Sequence, residues 1–222
     1  MEFNDELSKA AVVHTATVEW QASPSPTVWR KRLDLAGNAE TSRVTSVVRY
    51  DADSVFASHS HPDGEEILVL DGVFSDEHGD YPAGSYLLNP EGFEHAPFSK
   101  PGCVLFVKLR QYPGLDRRQV AIDTNSDEWL PGSDPGVSRM VLYIEDGHPE
   151  WMSLVRFDPG AHVPDHNHPA GEEIFVIDGD LTDDHGDYVT GSWVRYPHGS
   201  RHAVHSESGC TLYVKSGHLP PN

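Results

Sequence analysis

The sequence has few basic residues, and it lacks both a long apolar run and a basic, apolar leader. Its 16 lysines and arginines are outnumbered by 35 aspartates and glutamates, giving a formal net charge of −19. A phosphate backbone would repel such a chain, so we do not expect a nucleic-acid partner. No stretch approaches the roughly 18 apolar residues of a membrane helix, and no signal-peptide pattern opens the chain. We therefore expect a cytoplasmic protein without a membrane span.

Cysteine is also scarce, with only Cys103 and Cys210 in the chain. The two occupy matching places in the strings GCVLFVK and GCTLYVK, which predict apolar strands. We expect both to be buried core thiols. A disulfide between them, or a redox-sensing thiol, is the alternative.

The chain contains a long internal repeat. HSHPDGEEILVLDG begins at His59 and HNHPAGEEIFVIDG begins at His166, and most positions between 59 and 85 are identical to those 107 residues further on. Duplication of a whole domain explains this pattern. We expect one domain over residues 1–115 and a second over 116–222, with QYPGLDRR as the linker.

Both halves consist of short runs typical of strands. Segments such as RVTSVVRY, GSYLLNP and CVLFVKL are rich in Val, Leu, Tyr and Phe and are separated by Gly, Pro and Asp. Such runs between close turns indicate strands, and helical periodicity is weak throughout. The sequence therefore predicts an all-β fold, either a sandwich or a barrel.

The repeated histidines form a candidate metal site. His59 and His61 are separated by one residue, so on a strand both imidazoles project from the same face. The Pro-Asp-Gly turn that follows lets Glu65 return toward them, and His95 arrives from a later strand. Three imidazoles and a carboxylate suit Fe(II), Mn(II), Ni(II), Zn(II) or Cu(II), and they leave positions open for water, substrate or dioxygen.

The second repeat carries the same set, namely His166, His168, Glu172 and His202. We therefore expect one divalent transition metal in each half. Zinc and iron are the leading candidates, with nickel and manganese as alternatives.

The order of these residues resembles the two signature motifs of the cupin superfamily. The first is HxH, three residues, Glu, six residues and Gly; the second is Gly, five residues and PxGxxH, and both repeats fit both motifs. Within the cupins, GEEILVLDGVFSDEHGDYPAGSY, HAPF and GCVLFVKL resemble the cupin domain of the ChrR anti-sigma factors. The resemblance implies two tandem jelly-roll barrels (double-stranded β-helices), each with a metal.

The resemblance also implies a regulatory or sensory module, in which a small ligand or an oxidant changes the metal coordination and a protein partner responds. A sigma factor is the candidate partner. However, ChrR-type factors carry a helical zinc domain with Cys-x-x-Cys ahead of the cupin, and this sequence contains no Cys-x-x-Cys. The alternative is a non-haem dioxygenase acting on a small dicarbonyl-type substrate, as in cupin diketone dioxygenases. A storage or structural protein is the third hypothesis, and a homodimer is possible.

Other repeated residues permit two interpretations each. Arg49 and Arg156 could hold an anion inside the barrels or form structural ion pairs. Aromatic residues could line the pocket mouths or fill the core; these are Tyr81, Tyr86, Tyr188 and Trp193. We expect His78 and His185 in tight turns. Three histidines found only in the second half could line its pocket, but we expect them in solvent: His162, His198 and His205.

Overall fold

The computed structural model describes residues 2–38, 41–126 and 128–221. Strands dominate, and the one helical piece in these ranges is a 3-10 turn at Thr15–Thr17. The predicted all-β fold is confirmed. No helix in the described part of the chain is both long enough and apolar enough to cross a membrane. The predicted outer domain bounds, residues 1 and 222, lie outside the described ranges.

The chain divides into two compact units. One unit contains the chain from Val18 through the first repeat, together with the first few residues; the other contains Glu6–Thr17 and the chain from Glu128 onward. The strands of the first unit are β2 (Gln21–Ala22), β3 (Val28–Leu35), β4 (Val44–Tyr50), β5 (Ser54–Val55), β6 (His59–Ser60), β7 (Glu65–Asp76), β8 (Gly79–Pro82), β9 (Ser85–Asn89), β10 (Glu94–His95), β11 (Phe98–Ser99), β12 (Cys103–Leu109) and β13 (Val120–Asp123). The strands of the second unit are β1 (Ala11–His14), β14 (Leu130–Pro131), β15 (Val137–Tyr143), β16 (Trp151–Phe157), β17 (His162–His168), β18 (Glu172–Asp183), β19 (Gly186–Val189), β20 (Ser192–Tyr196), β21 (Ser200–His205) and β22 (Cys210–Ser216).

The two units have matching antiparallel sheets. In the first, the strand order is β13-β9-β7-β12-β4-β3-β2, and β8 and β11 pair with the far end of β7. In the second, the order is β1-β20-β18-β22-β16-β15-β14, and β19 and β21 pair with the far end of β18. The long strands β7 and β18 therefore each bridge two sides of a barrel.

The edge strand of each sheet comes from outside its own repeat. β1 belongs to the first repeat in sequence but pairs with β20 of the second, Val13 lying opposite Trp193. β13 follows the first repeat and pairs with β9, Val120 lying opposite Leu88. The compact units exchange these two strands relative to the order of the sequence, and the bounds of 1–115 and 116–222 remain a prediction about the repeat.

The barrel cores follow from strand alternation. In the first unit, alternate residues of β4, β7 and β12 pack into one buried cluster, which includes Val48, Ile67, Val69, Leu105 and Val107. The second unit has the corresponding cluster on β16, β18 and β22. Burying each large aliphatic side chain contributes about 1.5–3 kcal/mol relative to exposure.

A glycine is required where each long strand bends. Gly72 has φ +74°, and a Cβ added there would lie 2.1 Å from the carbonyl oxygen of Gly102. Gly179 has φ +84°, and its Cβ would lie 2.0 Å from the carbonyl oxygen of Gly209. Only glycine tolerates both the backbone angle and the close approach.

Both cysteines are free and buried, which confirms the prediction of core thiols. Cys103 lies opposite Gly72 and Cys210 lies opposite Gly179 in the sheets. Burial raises the pKa of each thiol to about 11. Neither is therefore a thiolate at neutral pH, which argues against the redox-sensing alternative.

Candidate metal centres

A short ladder assembles the first histidine cluster. β6 pairs with β10 so that His59 lies opposite His95. His61 follows two residues after His59, and the centroids of these two rings are 4.7 Å apart. Both imidazoles of the HxH motif therefore lie on the same side of the chain, as the spacing predicts.

The three imidazoles converge closely enough to hold one ion. Each contributes a nitrogen, and these atoms lie within 4.8 Å of one another. His61 Nε2 is 2.9 Å from His95 Nε2. Two nitrogens bound at about 2.05 Å and at right angles to the metal lie about 2.9 Å apart, so the spacing fits a shared transition metal.

Glu65 completes the first cluster. Its carboxylate lies 3.4 Å from His61 Nε2 and 3.6 Å from His95 Nε2. Asn89 donates a hydrogen bond from Nδ2 to the same carboxylate at 3.2 Å. The structure therefore brings together all four residues predicted for the first site.

The second repeat builds the equivalent cluster on β17 and β21, where His166 lies opposite His202. The nitrogens of the three histidines again lie within 4.8 Å, and His168 Nε2 is 2.9 Å from His202 Nε2. Glu172 lies 3.5 Å from His168 Nδ1 and 3.9 Å from His202 Nε2. Ser216 donates a hydrogen bond to this carboxylate at 3.1 Å.

The buried histidines are neutral at physiological pH. Burial is the main cause of a pKa of about 3 for His61, about 3 for His168 and about 4 for His202. The pKa of His95 is lowered by burial as well. A neutral imidazole is the form that binds metal, so no proton has to leave these ligands first.

Burial has the opposite effect on the two carboxyl groups. It raises the pKa of Glu65, and it raises the pKa of Glu172 to about 7. A buried carboxylate is unstable without a compensating charge. A divalent cation at each cluster would supply that charge, so the donor sets fit such an ion.

An aspartate supports one histidine in each site, and we did not predict it. Asp76 Oδ2 is 3.2 Å from His95 Nδ1, and Asp183 Oδ2 is 3.4 Å from His202 Nδ1. A carboxylate behind a metal-binding imidazole fixes its orientation and leaves the other nitrogen for the metal. The signal in the sequence was the repeated string D-x-HGDY, in which we noticed only the turn.

The same aspartates organise the HGDY turns. Asp76 Oδ1 accepts backbone hydrogen bonds from His78 and Gly79, and the Tyr81 hydroxyl lies 3.4 Å from this oxygen. The second repeat has the same arrangement around Asp183. The predicted turn position of His78 is confirmed, and in each repeat one carboxylate links the turn to the histidine cluster.

The other residues considered for the sites have structural roles. Arg49 lies 3.3 Å from Asp51, with its guanidinium over the rings of Trp20 and Trp29, and Arg156 lies 4.0 Å from the ring of Trp129. Neither arginine lines a barrel cavity.

Several predicted aromatic and histidine positions also lie away from the clusters. Tyr86 and Trp193 are fully buried and donate to Glu66 and Glu173. The three histidines specific to the second half do not line its cavity; these are His162, His198 and His205.

Each cluster lies in the wall of a cavity. The first cavity has a volume of about 350 Å³, and the second has about 520 Å³. Aliphatic and aromatic side chains form about half of each wall. Each cavity has room for a small molecule beside the cluster.

The family is shown by comparison with known proteins. A family model described as the ChrR Cupin-like domain matches residues 8–113 and again residues 117–220. The chain belongs to the ChrR cupin-like family. No curated protein matches its sequence.

Solved structures show the same fold at low sequence identity. A candidate dioxygenase from Nostoc punctiforme is 16% identical with a TM-score of 0.79, covering 97% of this chain and 85% of the other. The Ylba protein of E. coli is 15% identical with a TM-score of 0.75, covering 98% and 95%. A single-substitution variant of the oxalate decarboxylase of Bacillus subtilis is 13% identical with a TM-score of 0.68, covering 93% and 77%. These likenesses show a shared fold, and the family match over both repeats identifies it as two cupin barrels.

Proposed function

We propose that each barrel binds one divalent transition metal through three histidines and a glutamate. The ligands are His59, His61, Glu65 and His95 in the first barrel, and His166, His168, Glu172 and His202 in the second. The convergence of three neutral imidazoles beside a buried carboxylate carries this proposal. Four protein ligands leave one or two positions open on an ion that accepts five or six ligands.

The function that this geometry supports best is metal-dependent chemistry on a small molecule, and we propose a non-haem dioxygenase acting on a dicarbonyl-type substrate. The supporting observation is that each cluster lies in the wall of an apolar cavity. The likeness to the candidate dioxygenase of Nostoc punctiforme agrees with this class. The likeness to an oxalate decarboxylase with Mn(II) centres agrees with manganese as one candidate ion.

In such an enzyme the bound metal would act as a Lewis acid and bring dioxygen and substrate together. The residues of the chain have separate roles in preparing that site. Histidine nitrogens hold the ion, and Asp76 and Asp183 orient one imidazole in each barrel. The apolar side chains of the cavity walls exclude water from the parts of the substrate that do not bind the metal.

A regulatory role is the second candidate, and the match of the ChrR Cupin-like model to both repeats supports it. In this role, a ligand or an oxidant would change the coordination of a metal, zinc being the candidate, and a sigma factor would detect the change. Both candidate functions require the metal centres. The enzyme would turn over a small substrate, whereas the regulator would bind a protein partner.

The test begins with metal content, measured by mass spectrometry on untagged protein purified without chelators or immobilised nickel. About two ions per chain supports the metal centres, and no metal even after reconstitution would refute them. Oxygen uptake by the iron-loaded protein with a panel of small dicarbonyl compounds then tests the enzyme. If there is no uptake and an alternative sigma factor co-purifies, the regulatory candidate replaces it.

A further inference from the structure

An arginine in the second cavity has a positive charge that no carboxylate neutralises. Arg139 lines the wall of this cavity, and its guanidinium lies 4.5 Å from the centroid of the Trp151 ring. Its side chain forms no hydrogen bond or ion pair with any residue that the structure describes. A guanidinium carries five N–H donors in a fixed planar arrangement, so those of Arg139 are available to a ligand.

The aspartate in the same wall does not pair with Arg139. Asp134 lies in the turn before β15, and its Oδ2 accepts a hydrogen bond from the Ser133 hydroxyl at 2.8 Å. β15 begins opposite Phe157, at the end of β16 that is remote from Trp151. A strand rises about 3.3 Å per residue, so these two ends of β16 are about 20 Å apart. Arg139 contacts Trp151, away from the turn that contains Asp134.

Strand pairing places Trp151 in one row with the carboxyl group of the metal cluster. Trp151 lies opposite Ser216 on β22, and Ser216 lies opposite Glu172 on β18. Ser216 donates a hydrogen bond to the Glu172 carboxylate, which faces His168. Neighbouring strands are about 4.8 Å apart, so the backbones of Trp151 and Glu172 are separated by about 10 Å. The guanidinium beside Trp151 therefore lies within the reach of a small molecule that contacts the histidine cluster.

The wall around these two groups is largely apolar. Alternate positions of β16, β18 and β22 contribute aliphatic side chains to it, and these are Val155, Ile174, Leu212 and Val214. Ligand cavities of this kind fix orientation through a few polar groups in an apolar surface. A ligand that fits has an apolar middle, one end that faces the histidines and an anionic end that faces Arg139.

The first cavity has an aliphatic row at the equivalent place. Leu109 lies opposite both Glu65 and Val44 in the first unit. Leu109 therefore stands where the second unit has Ser216, and Val44 stands where it has Trp151. The aromatic support for an arginine beside the metal-facing carboxylate is a feature of the second barrel.

We propose that the second barrel binds a dicarbonyl compound with a carboxylate at its far end, the carboxylate pairing with Arg139 and the carbonyl groups facing the histidine cluster. A guanidinium matches a carboxylate in charge and in geometry. Trp151 holds the guanidinium in place by a cation–π contact, which leaves the N–H donors free for the ligand. This inference rests on the proposed metal centres and dicarbonyl substrate, and it adds the charge that the substrate carries.

The test is calorimetric titration of the zinc-loaded protein with 4,6-dioxoheptanoate and with heptane-2,4-dione. Zinc has no redox chemistry, so the ligands are not consumed. Both compounds have the same dione and the same chain length, but the second has a methyl group in place of the carboxylate. We expect the acid to bind at least tenfold more tightly at one site per chain, and equal binding of the two compounds would overturn the proposal.

Zinc content is measured on the same samples to separate two kinds of failure. Absence of zinc after reconstitution would refute the metal centres and, with them, this proposal. Equal binding of acid and dione at full zinc occupancy would refute the acid site alone.

Matched variants locate the site. Arg139→Gln breaks no hydrogen bond to a described residue, so it should keep the fold and remove the preference for the acid. Arg156→Gln removes the same charge from a guanidinium that lies on Trp129 in the same unit but outside the cavity wall, and it should retain the preference. Trp151→Val copies the first repeat and should weaken acid binding several-fold, whereas Trp151→Phe keeps a ring and should weaken it less. An unchanged preference in Arg139→Gln, or an equal loss in Arg156→Gln, would contradict the assignment.

Discussion

The ring of Tyr196 packs edge-on against the imidazole of His202, with 4.2 Å between the ring centroids. Its hydroxyl donates a hydrogen bond to Asp183 at 2.8 Å, and Asp183 lies 3.4 Å from His202 Nδ1. The first repeat has Asn89 in place of this tyrosine, and Asn89 donates to Glu65 instead. The two clusters therefore contain the same histidines and glutamate, but different residues support them.

The support behind His202 gives the first prediction. Burial opposes the ionisation of Asp183, but hydrogen bonds from Tyr196, the His185 backbone and Tyr188 outweigh it and lower the pKa. Asp183→Asn keeps the size and removes the charge. We expect metal affinity at the second site to fall about 10–100-fold, measured by competition with a chelating dye.

The control for this substitution is Asp187→Asn. Asp187 lies on β19, directly after the same turn, and its carboxylate accepts a hydrogen bond from the Thr182 hydroxyl. This control should leave affinity unchanged. If Asp183→Asn also leaves the metal affinity of the second site unchanged, the Asp183 carboxylate serves only to cap the turn. Asp76→Asn should reproduce the loss at the first site alone.

Metal stoichiometry gives the second prediction. His61→Ala removes one ligand from the first centre and should lower metal content by about half, and the double variant His61→Ala with His168→Ala should nearly abolish it. His205→Ala, in an exposed position, is the control and should retain both ions. Unchanged stoichiometry in the double variant would mean that the ligands are misassigned.

The buried carboxyl of Glu172 gives a pH prediction for the metal-free protein. Its pKa rises from 4.5 to about 7 on folding, mainly through burial. Between these values the folded state keeps a proton that the unfolded chain releases, so this group makes the metal-free protein less stable as pH rises. Glu172→Gln removes that loss.

We expect Glu172→Gln and the parent protein to have similar metal-free stabilities near pH 4.5. At pH 8 the variant should be more stable by on the order of 3 kcal/mol, as measured by urea unfolding. Saturating metal should reverse the order, since a carboxylate binds a divalent ion more strongly than a neutral amide does. Identical pH dependence in both proteins would contradict a proton held by Glu172.

Strand patterns and the convergence of the histidines were predictable because each depends on local spacing. Two histidines separated by a single residue lie on the same face of any strand, and the repeat contains this spacing twice. Asp183 was not predicted as a support for His202, since its contact depends on how β18 and β21 pair.

Sequence analysis also missed the pairing of β1 with β20. A four-residue apolar strand near the N-terminus carries no information on which sheet it joins, and the choice depends on which edge is open. The buried side chain of Arg195 helps to hold β1 against β20. Its guanidinium donates hydrogen bonds to the backbone carbonyls of Glu6 and Lys9, which lie just before β1.

The edge strand β1 gives the last prediction. Val13 is 6% exposed and lies opposite Trp193, whereas its neighbour Val12 is 45% exposed on the other face. Val13→Asp buries an unpaired carboxylate in the second unit and should reduce its free energy of unfolding by about 3 kcal/mol. Val12→Asp makes the same chemical change toward solvent and should cost less than about 1 kcal/mol. Urea unfolding of both variants tests this assignment of β1. If the two substitutions were equally mild, Val13 would not be buried against β20 and the assignment would be wrong.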